Sequence, residues 1–268
     1  MTDNASDIKI AALSLDIQYA SPEKNLAAAL EMIDELPSDT DIAVLPELFN
    51  TSFIADKELL AKLAEPNDGP SLSALREVSA KRNILISGSF AARENGRFYN
   101  RGFIILPDGE SRYYDKRHLF SVSCEAEIFT QGKAVMPVVE FKGWNISMMI
   151  CYDLRFPVWS RNVKHRYDML LVPANWPISR GYAWTHLLIA RAIENQAVVV
   201  GANRGGSDDY GTYDGLSQIF DALGMPIGHK IDNDTIVTAT ADPADLTLAR
   251  RKLPAHFDAD DFIIPLDD

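Results

Sequence analysis

With 268 residues, 47% of them hydrophobic and 24% charged, the chain has the composition of a folded protein with a sizeable core, and nothing in it suggests disorder. Its formal net charge of −12 makes nucleic acid and anionic membrane surfaces poor partners. The polar, acidic start MTDNASDIKI is unlike a secretory signal, and no stretch is long and apolar enough to span a bilayer.

Residues 8–15 alternate loosely and read as a strand. A helix is expected to open at Pro22, with Ser21 as N-cap, and to run through NLAAALEMIDEL. DIAVLPE at 41–47 is an apolar run with a polar end, read as a buried strand that carries Glu47 at its C-terminal edge. Residues 71–82 are amphipathic at helical spacing, with Leu72, Leu75, Val78 and Ser79 on one side. Strands follow at 84–90, 101–106 and 112–116, with hairpin signals at Asn95-Gly96 and Asp108-Gly109, and the third ends on Lys116. After a loop over 117–133, strands at 138–141 and 144–150 flank a further hairpin signal, Lys142-Gly143, and the second runs into Cys151. LRFPVWSRNVKHR then reads as a turn and a helix, 169–172 as a strand ending at PANWP, 182–196 as a helix and 197–202 as a buried strand. Strands at 218–222 and 236–240 precede a tail with one short helix and an acidic end, in which Phe262, Ile263 and Ile264 form an apolar patch.

No repeat, low-complexity segment or linker interrupts this order, so residues 1–268 are read as one domain. The hairpins exclude a purely parallel, doubly wound sheet and predict an α/β fold of mixed sheets with helices covering one face of each. The two cysteines, Cys124 and Cys151, form no disulfide framework, which predicts a cytoplasmic protein with reduced thiols.

Glu47, Lys116 and Cys151 each stand at a strand end, where a rigid support delivers a reactive tip to a crevice. A free thiol is largely protonated near neutrality, with a pKa of about 8.5. A nearby carboxylate offers it a proton acceptor and a nearby ammonium favours the thiolate. The histidines do not fall at metal-ligand spacing with the cysteines, so no metal site is expected. There is no GxSxG elbow, Walker-type phosphate loop or GxGxxG. Cys124, in the polar loop SVSCEAE, reads as a loop residue rather than a reactive thiol.

The segments LPELF, YDKRHLF and CYDLRFP, followed by VPANWP, ARAIENQ and GANR, resemble the signature segments of the nitrilase superfamily of carbon–nitrogen hydrolases, in the family's order and over nearly the whole chain. The resemblance implies a four-layer α-β-β-α sandwich and a cysteine amidase that needs no cofactor. It implies Cys151 as nucleophile, Glu47 as general base, and Lys116 with the Tyr152 N–H as stabilisers of the oxyanion. It also implies a second glutamate ahead of Gly132: Glu125 is the better match and Glu127 the competitor. His118 is structural in the family segment. Members usually pair through a helical face near the nucleophile, so a homodimer or higher homo-oligomer is expected, with residues 182–196 and the segment after Cys151 as contact elements. Arg191 and Glu194, one helical turn apart, are spaced to pair.

Within the superfamily the segments are most like the bacterial ω-amidases, which hydrolyse the terminal amide of short 2-oxo acids such as 2-oxoglutaramate. The partner expected is therefore a small-molecule amide. Arg155 is spaced to clamp a carboxylate, with an ion pair to Asp153 as the competing reading, and Tyr152, Phe120 and Trp176 are candidate pocket walls. Deaminated glutathione, an N-carbamoyl compound and an aliphatic amide are alternative substrates, with a nitrile behind them. An inactive binding protein on the same fold is the alternative of a different class.

Overall fold

The computed structural model of the protein describes residues 5–231 and 234–264. In chain order the first half contributes β1 (Ile8–Leu13), α1 (Pro22–Glu35), β2 (Ile42–Val44), α2 (Lys57–Leu63), α3 (Pro70–Arg82), β3 (Leu85–Glu94), β4 (Arg97–Ile105) and β5 (Ser111–Asp115). The second half contributes α4 (Glu125–Ile128), β6 (Val138–Phe141), β7 (Trp144–Met148), β8 (Met169–Ala174), α5 (Gly181–Asn195), β9 (Val198–Asn203), β10 (Gly205–Asp208), β11 (Gly211–Asp214), β12 (Gln218–Phe220), β13 (His229–Ile231), β14 (Ile236–Ala241) and α6 (Pro243–Lys252).

The strands form two large mixed sheets. One has the order β13-β14-β1-β2-β3-β4-β5 and the other β12-β9-β8-β7-β6, while β10 and β11 make a separate hairpin. Each large sheet has a parallel centre, β1-β2-β3 in one and β7-β8-β9 in the other, flanked by antiparallel neighbours. Alternation decides which residues face which layer. Ile8, Ile10, Ile42, Val44 and Leu85 meet Ile146, Met148 and Leu171 of the second sheet in one buried cluster. Ala11, Leu13, Ala43 and Ile86 point the other way, onto Ala29 and Ile33 of α1 and Leu72 and Leu75 of α3. On the far side of the second sheet, α5 packs so closely on β9 that a Cβ at Gly201 would fall 2.6 Å from Leu188 and 2.7 Å from Trp184. The result is the expected four-layer α-β-β-α sandwich.

The turn signals hold for a physical reason. Asn95 and Gly96 have φ of 50° and 74°, and Lys142 and Gly143 have 49° and 82°, the paired positive angles that match a two-residue turn to the twist of its strands. Ser21 does occupy the N-cap of α1 but makes no side-chain cap; its hydroxyl donates to the Tyr19 carbonyl instead.

Two expectations need correction. The helix after Cys151 is absent: a 3-10 turn over Cys151–Arg155 ends ahead of Pro157, and only a second 3-10 turn, Val163–His165, follows, because a residue before proline is pushed out of helical space. The loop over 117–133 contains the one-turn helix α4. The expected pair Arg191–Glu194 does form: Arg191 is buried, bonds Glu194 at 2.8 Å and donates to the Leu154 carbonyl at 2.7 Å, tying α5 to the turn after Cys151. In the tail, Ile264 packs on the core while Ile263 is exposed, and residues 265–268 lie outside the described residues.

Candidate active site

Both sheets deliver residues to one cavity of about 350 Å³. Glu47 lies three residues beyond β2 and Lys116 directly follows β5, both in the first sheet, while Cys151 lies three residues beyond β7 and Asn175 directly follows β8 in the second. Glu125 comes from α4, in the loop that returns to the sheet at Gly132. That return needs glycine, since a Cβ there would sit 1.9 Å from the Asp115 carbonyl oxygen, just behind Lys116.

Glu47, Lys116, Glu125 and Cys151 are all buried. The Lys116 ammonium donates to Glu47 Oε1 at 2.8 Å and to Glu125 Oε1 and Oε2 at 2.8 and 3.0 Å. The Asn100 amide adds bonds to Glu47 Oε1 at 2.7 Å and Glu125 Oε1 at 3.2 Å. Asn100 is oriented by the Ser89 hydroxyl, which donates to its oxygen at 2.9 Å and so turns its NH₂ toward the carboxylates. Backbone donors complete the shell: Asn175 N–H to Glu47 Oε2 at 2.9 Å and Phe120 N–H to Glu125 Oε2 at 2.6 Å. The Cys151 thiol lies beside the Glu47 carboxylate and the Asn175 N–H.

Charge follows from these contacts. Burial pushes the Glu47 carboxyl up, but the Lys116 ammonium outweighs it and holds Glu47 below its ordinary value of 4.5. Burial pushes Lys116 down, and the two carboxylates outweigh that and hold it well above 10.5. For Cys151, burial and the adjacent Glu47 carboxylate act together against Lys116, leaving the thiol well above 9.0. The resting set is therefore a neutral thiol beside a carboxylate, not the thiolate that an ammonium alone would favour.

Cys151 has φ of 44°, an uncommon conformation for a residue with a Cβ. The fully buried Asp153 holds it there. One Asp153 oxygen accepts from the Ile150 N–H at 3.1 Å and the Tyr114 hydroxyl at 2.9 Å, and the other from the His118 N–H at 2.9 Å and ring Nδ1 at 2.8 Å. Tyr114 and His118 flank Lys116, so this carboxylate ties the lysine segment to the cysteine turn. The His118 ring is stacked on Phe156 with centroids 3.7 Å apart. The ion pair between Arg155 and Asp153 does not form, because Asp153 is already engaged.

The carbon–nitrogen hydrolase family matches residues 9–251. An omega-amidase of Yersinia enterocolitica is 39% identical over 97% of this chain and 99% of its own. The chain belongs to the carbon–nitrogen hydrolase family. A 2-oxoglutaramate amidase of Bacillus subtilis is 33% identical over 93% of this chain and 96% of its own. A crystal structure of a superfamily member from Xanthomonas campestris, with an arsenic adduct in its active site, superposes with a TM-score of 0.90 at 36% identity, covering 97% of this chain and 99% of that one. This carbon–nitrogen hydrolase accordingly cleaves C–N bonds other than peptide bonds.

The hydrolase's cavity is lined by eight of the candidates named from the sequence: Glu47, Lys116, Cys151, Glu125, Tyr152, Arg155, Phe120 and Trp176. Glu127 is exposed and lines none of it. Arg155 is exposed, with its guanidinium carbon 4.9 Å from the Trp176 ring centroid, and Phe120 meets Tyr152 edge to face at 5.0 Å. Cys124, read from sequence as an ordinary loop residue, is a half-buried part of the lining. Sequence reasoning missed Asn100, Asp153, Asn175 and Arg180, as well as Tyr210 and Tyr213 from the β10–β11 hairpin. The fully buried Arg204 anchors that hairpin, bonding Asp208 at 2.6 Å and the Ile17 carbonyl at 2.7 Å and lying 4.4 Å from the Tyr213 ring centroid. Its place in GANR was the available signal.

Proposed function

We propose that this hydrolase is an ω-amidase that acts through a Cys151 thioester on the terminal amide of a short 2-oxo acid such as 2-oxoglutaramate, with the chain working as a single domain. The observation that carries the reading is the Glu47 carboxylate held between the Cys151 thiol and the Lys116 ammonium at the buried base of one cavity.

Sulfur attacks the amide carbon as its proton passes to Glu47. The developing oxyanion is met by Lys116 and the Tyr152 N–H; fixed donors of this kind are each worth roughly 3–4 kcal/mol. Glu47 then protonates the nitrogen, the C–N bond breaks and ammonia departs, leaving the acyl group on sulfur. Water gives a proton to Glu47 and attacks the thioester. The C–S bond breaks and the sulfur recovers the proton, releasing the carboxylic acid. Glu125 anchors Lys116 and balances its charge throughout. Tyr152, Phe120 and Trp176 wall the chain of the substrate, and Arg155 meets its carboxylate. The relatives named omega-amidase and 2-oxoglutaramate amidase support this choice of amide. The working assembly is a homodimer, for which the exposed Tyr182 and Ile193 of α5 offer a face, and light scattering would test it.

The test of the substrate is ammonia release from a panel of ω-amides of 2-oxo acids, glutathione derivatives, neutral amides and nitriles. The 2-oxo ω-amides should give the highest kcat/KM, and Arg155→Ala should raise KM by about 30-fold for anionic amides and far less for neutral ones. A preference for neutral amides or nitriles, or equal losses on both kinds, contradicts the reading.

A further inference from the structure

Besides Lys116 and Arg155, the cavity lining contains a third cation that the mechanism does not use. Arg180 closes the 3-10 turn Ile178–Arg180, ahead of α5, and its exposed guanidinium carbon lies 5.1 Å from the ring centroid of Phe120. Its backbone is fixed by Trp176, whose indole N–H donates to the Arg180 carbonyl at 2.9 Å. The buried Trp176 ring also carries the Arg155 guanidinium on its face. One tryptophan thus mounts both arginines at one rim.

Charge makes the pairing informative. The acids lining the cavity are Glu47 and Glu125, and both are bound to Lys116. Two carboxylates, one ammonium and a neutral thiol leave the base of the cavity at one negative charge. The chain as a whole carries −12. A substrate carboxylate is repelled by both. Arg155 and Arg180 line the same cavity and, among the described residues, pair with no carboxylate, so their donors stay available to a ligand.

We infer that Arg180 is a specificity-determining residue, which with Arg155 forms a two-guanidinium clamp for the carboxylate and the adjacent 2-oxo oxygen of the substrate. This rests on the ω-amidase reading. A single guanidinium satisfies a carboxylate in bidentate fashion. A second one supplies donors beyond that need, which suit a neighbouring carbonyl oxygen and repel an ammonium in its place. The clamp holds the anionic end at the rim and directs the amide to Cys151.

The test is kcat/KM, resolved into kcat and KM, for 2-oxoglutaramate, for the five-carbon monoamide without the oxo group, and for a neutral amide of similar length. In Arg180→Ala the loss should be about 100-fold on the 2-oxo amide, about 10-fold on the plain monoamide and under about 5-fold on the neutral amide, mostly in KM. Arg180→Lys, which keeps the charge but not the fork, should recover the plain monoamide more fully than the 2-oxo amide. Glutamine, with an ammonium at carbon 2, should gain relative to 2-oxoglutaramate in Arg180→Ala. If the wild type prefers the 2-oxo amide and Arg180→Ala keeps that preference, or loses all three amides equally, the clamp is wrong and the substrate reading stands. If the wild type hydrolyses neutral amides better than the 2-oxo amide, the substrate reading fails and the clamp with it.

Discussion

At the base of the cavity Glu47, Lys116 and Glu125 are 2–4% exposed and share bonds with Asn100, Asn175 and Phe120, whereas at the rim Arg155 and Arg180 are exposed and held by ring faces, and Val122 is 82% exposed. The base joins two sheets and a loop, and each of its charged groups is the counter-ion or hydrogen-bond partner of another. Removing one there leaves a buried charge without compensation. Rim groups have water as an alternative partner, so their loss changes recognition more than the fold. Chemistry and specificity thus rest on different kinds of support.

The largest effect that sharpens this contrast is expected at the nucleophile. Cys151→Ala should lower ammonia release by about 10⁴-fold or more, with circular dichroism and the melting temperature close to wild type. A variant that keeps a tenth of the activity would break the comparison at its base. Lys116→Ala should cost about 10³-fold in kcat and, by leaving Glu47 and Glu125 facing one another, about 3–5 kcal/mol of stability by urea titration. That deficit should shrink on acidification, because Glu47, once its cation is gone, takes up a proton more readily folded than unfolded. In the wild type the sign is opposite. The Glu47 carboxyl lies below 4.5, so its contribution is present at neutral pH and is lost as pH falls through the folded-state value.

Asp153→Asn ranks next, at about 10²-fold in kcat, since it loosens both the Cys151 turn and the Lys116 segment while touching no substrate. An effect confined to KM would mean that Asp153 serves recognition instead. The pH profile of kcat/KM should be flat through neutrality. Its acid limb should fall below 4.5 as Glu47 gains a proton, and its alkaline limb should lie above 9.0, where the thiol is lost. A limb near pH 6–7 would point to an imidazole such as His118. The smallest effect is expected at the rim residue Val122, where Val122→Ser should change kcat by less than about 3-fold.

What was legible in the sequence follows the same division. Glu47, Lys116 and Cys151 stand close to strand ends inside distinctive segments, and apolar runs with turn signals located those strands. The choice between Glu125 and Glu127 stayed open because both lie in a four-residue helix, too short for periodicity to say which side faces in. Asp153 was visible only as a neighbour of Arg155, and its partners Tyr114 and His118 are remote in sequence. Arg180 closes a three-residue turn, Ile178–Arg180, too short to show a pattern. GGSDDYGTYD carries no apolar alternation to mark it, and its two strands pair with each other outside the large sheets. α2 was overlooked although Asp56 accepts from the N–H groups of Glu58 and Leu59, because seven residues are too few for a clear helical stripe.

The central claim is an acyl group carried on Cys151 during turnover. Acid-quenching the enzyme while it hydrolyses 2-oxoglutaramate, then measuring intact and peptide masses, tests it directly. The account predicts an adduct equal to the substrate mass less ammonia, located on the peptide containing Cys151 and absent in Cys151→Ala. Ammonia release at an undiminished rate by Cys151→Ala, or an adduct found on Cys124 instead, would contradict it.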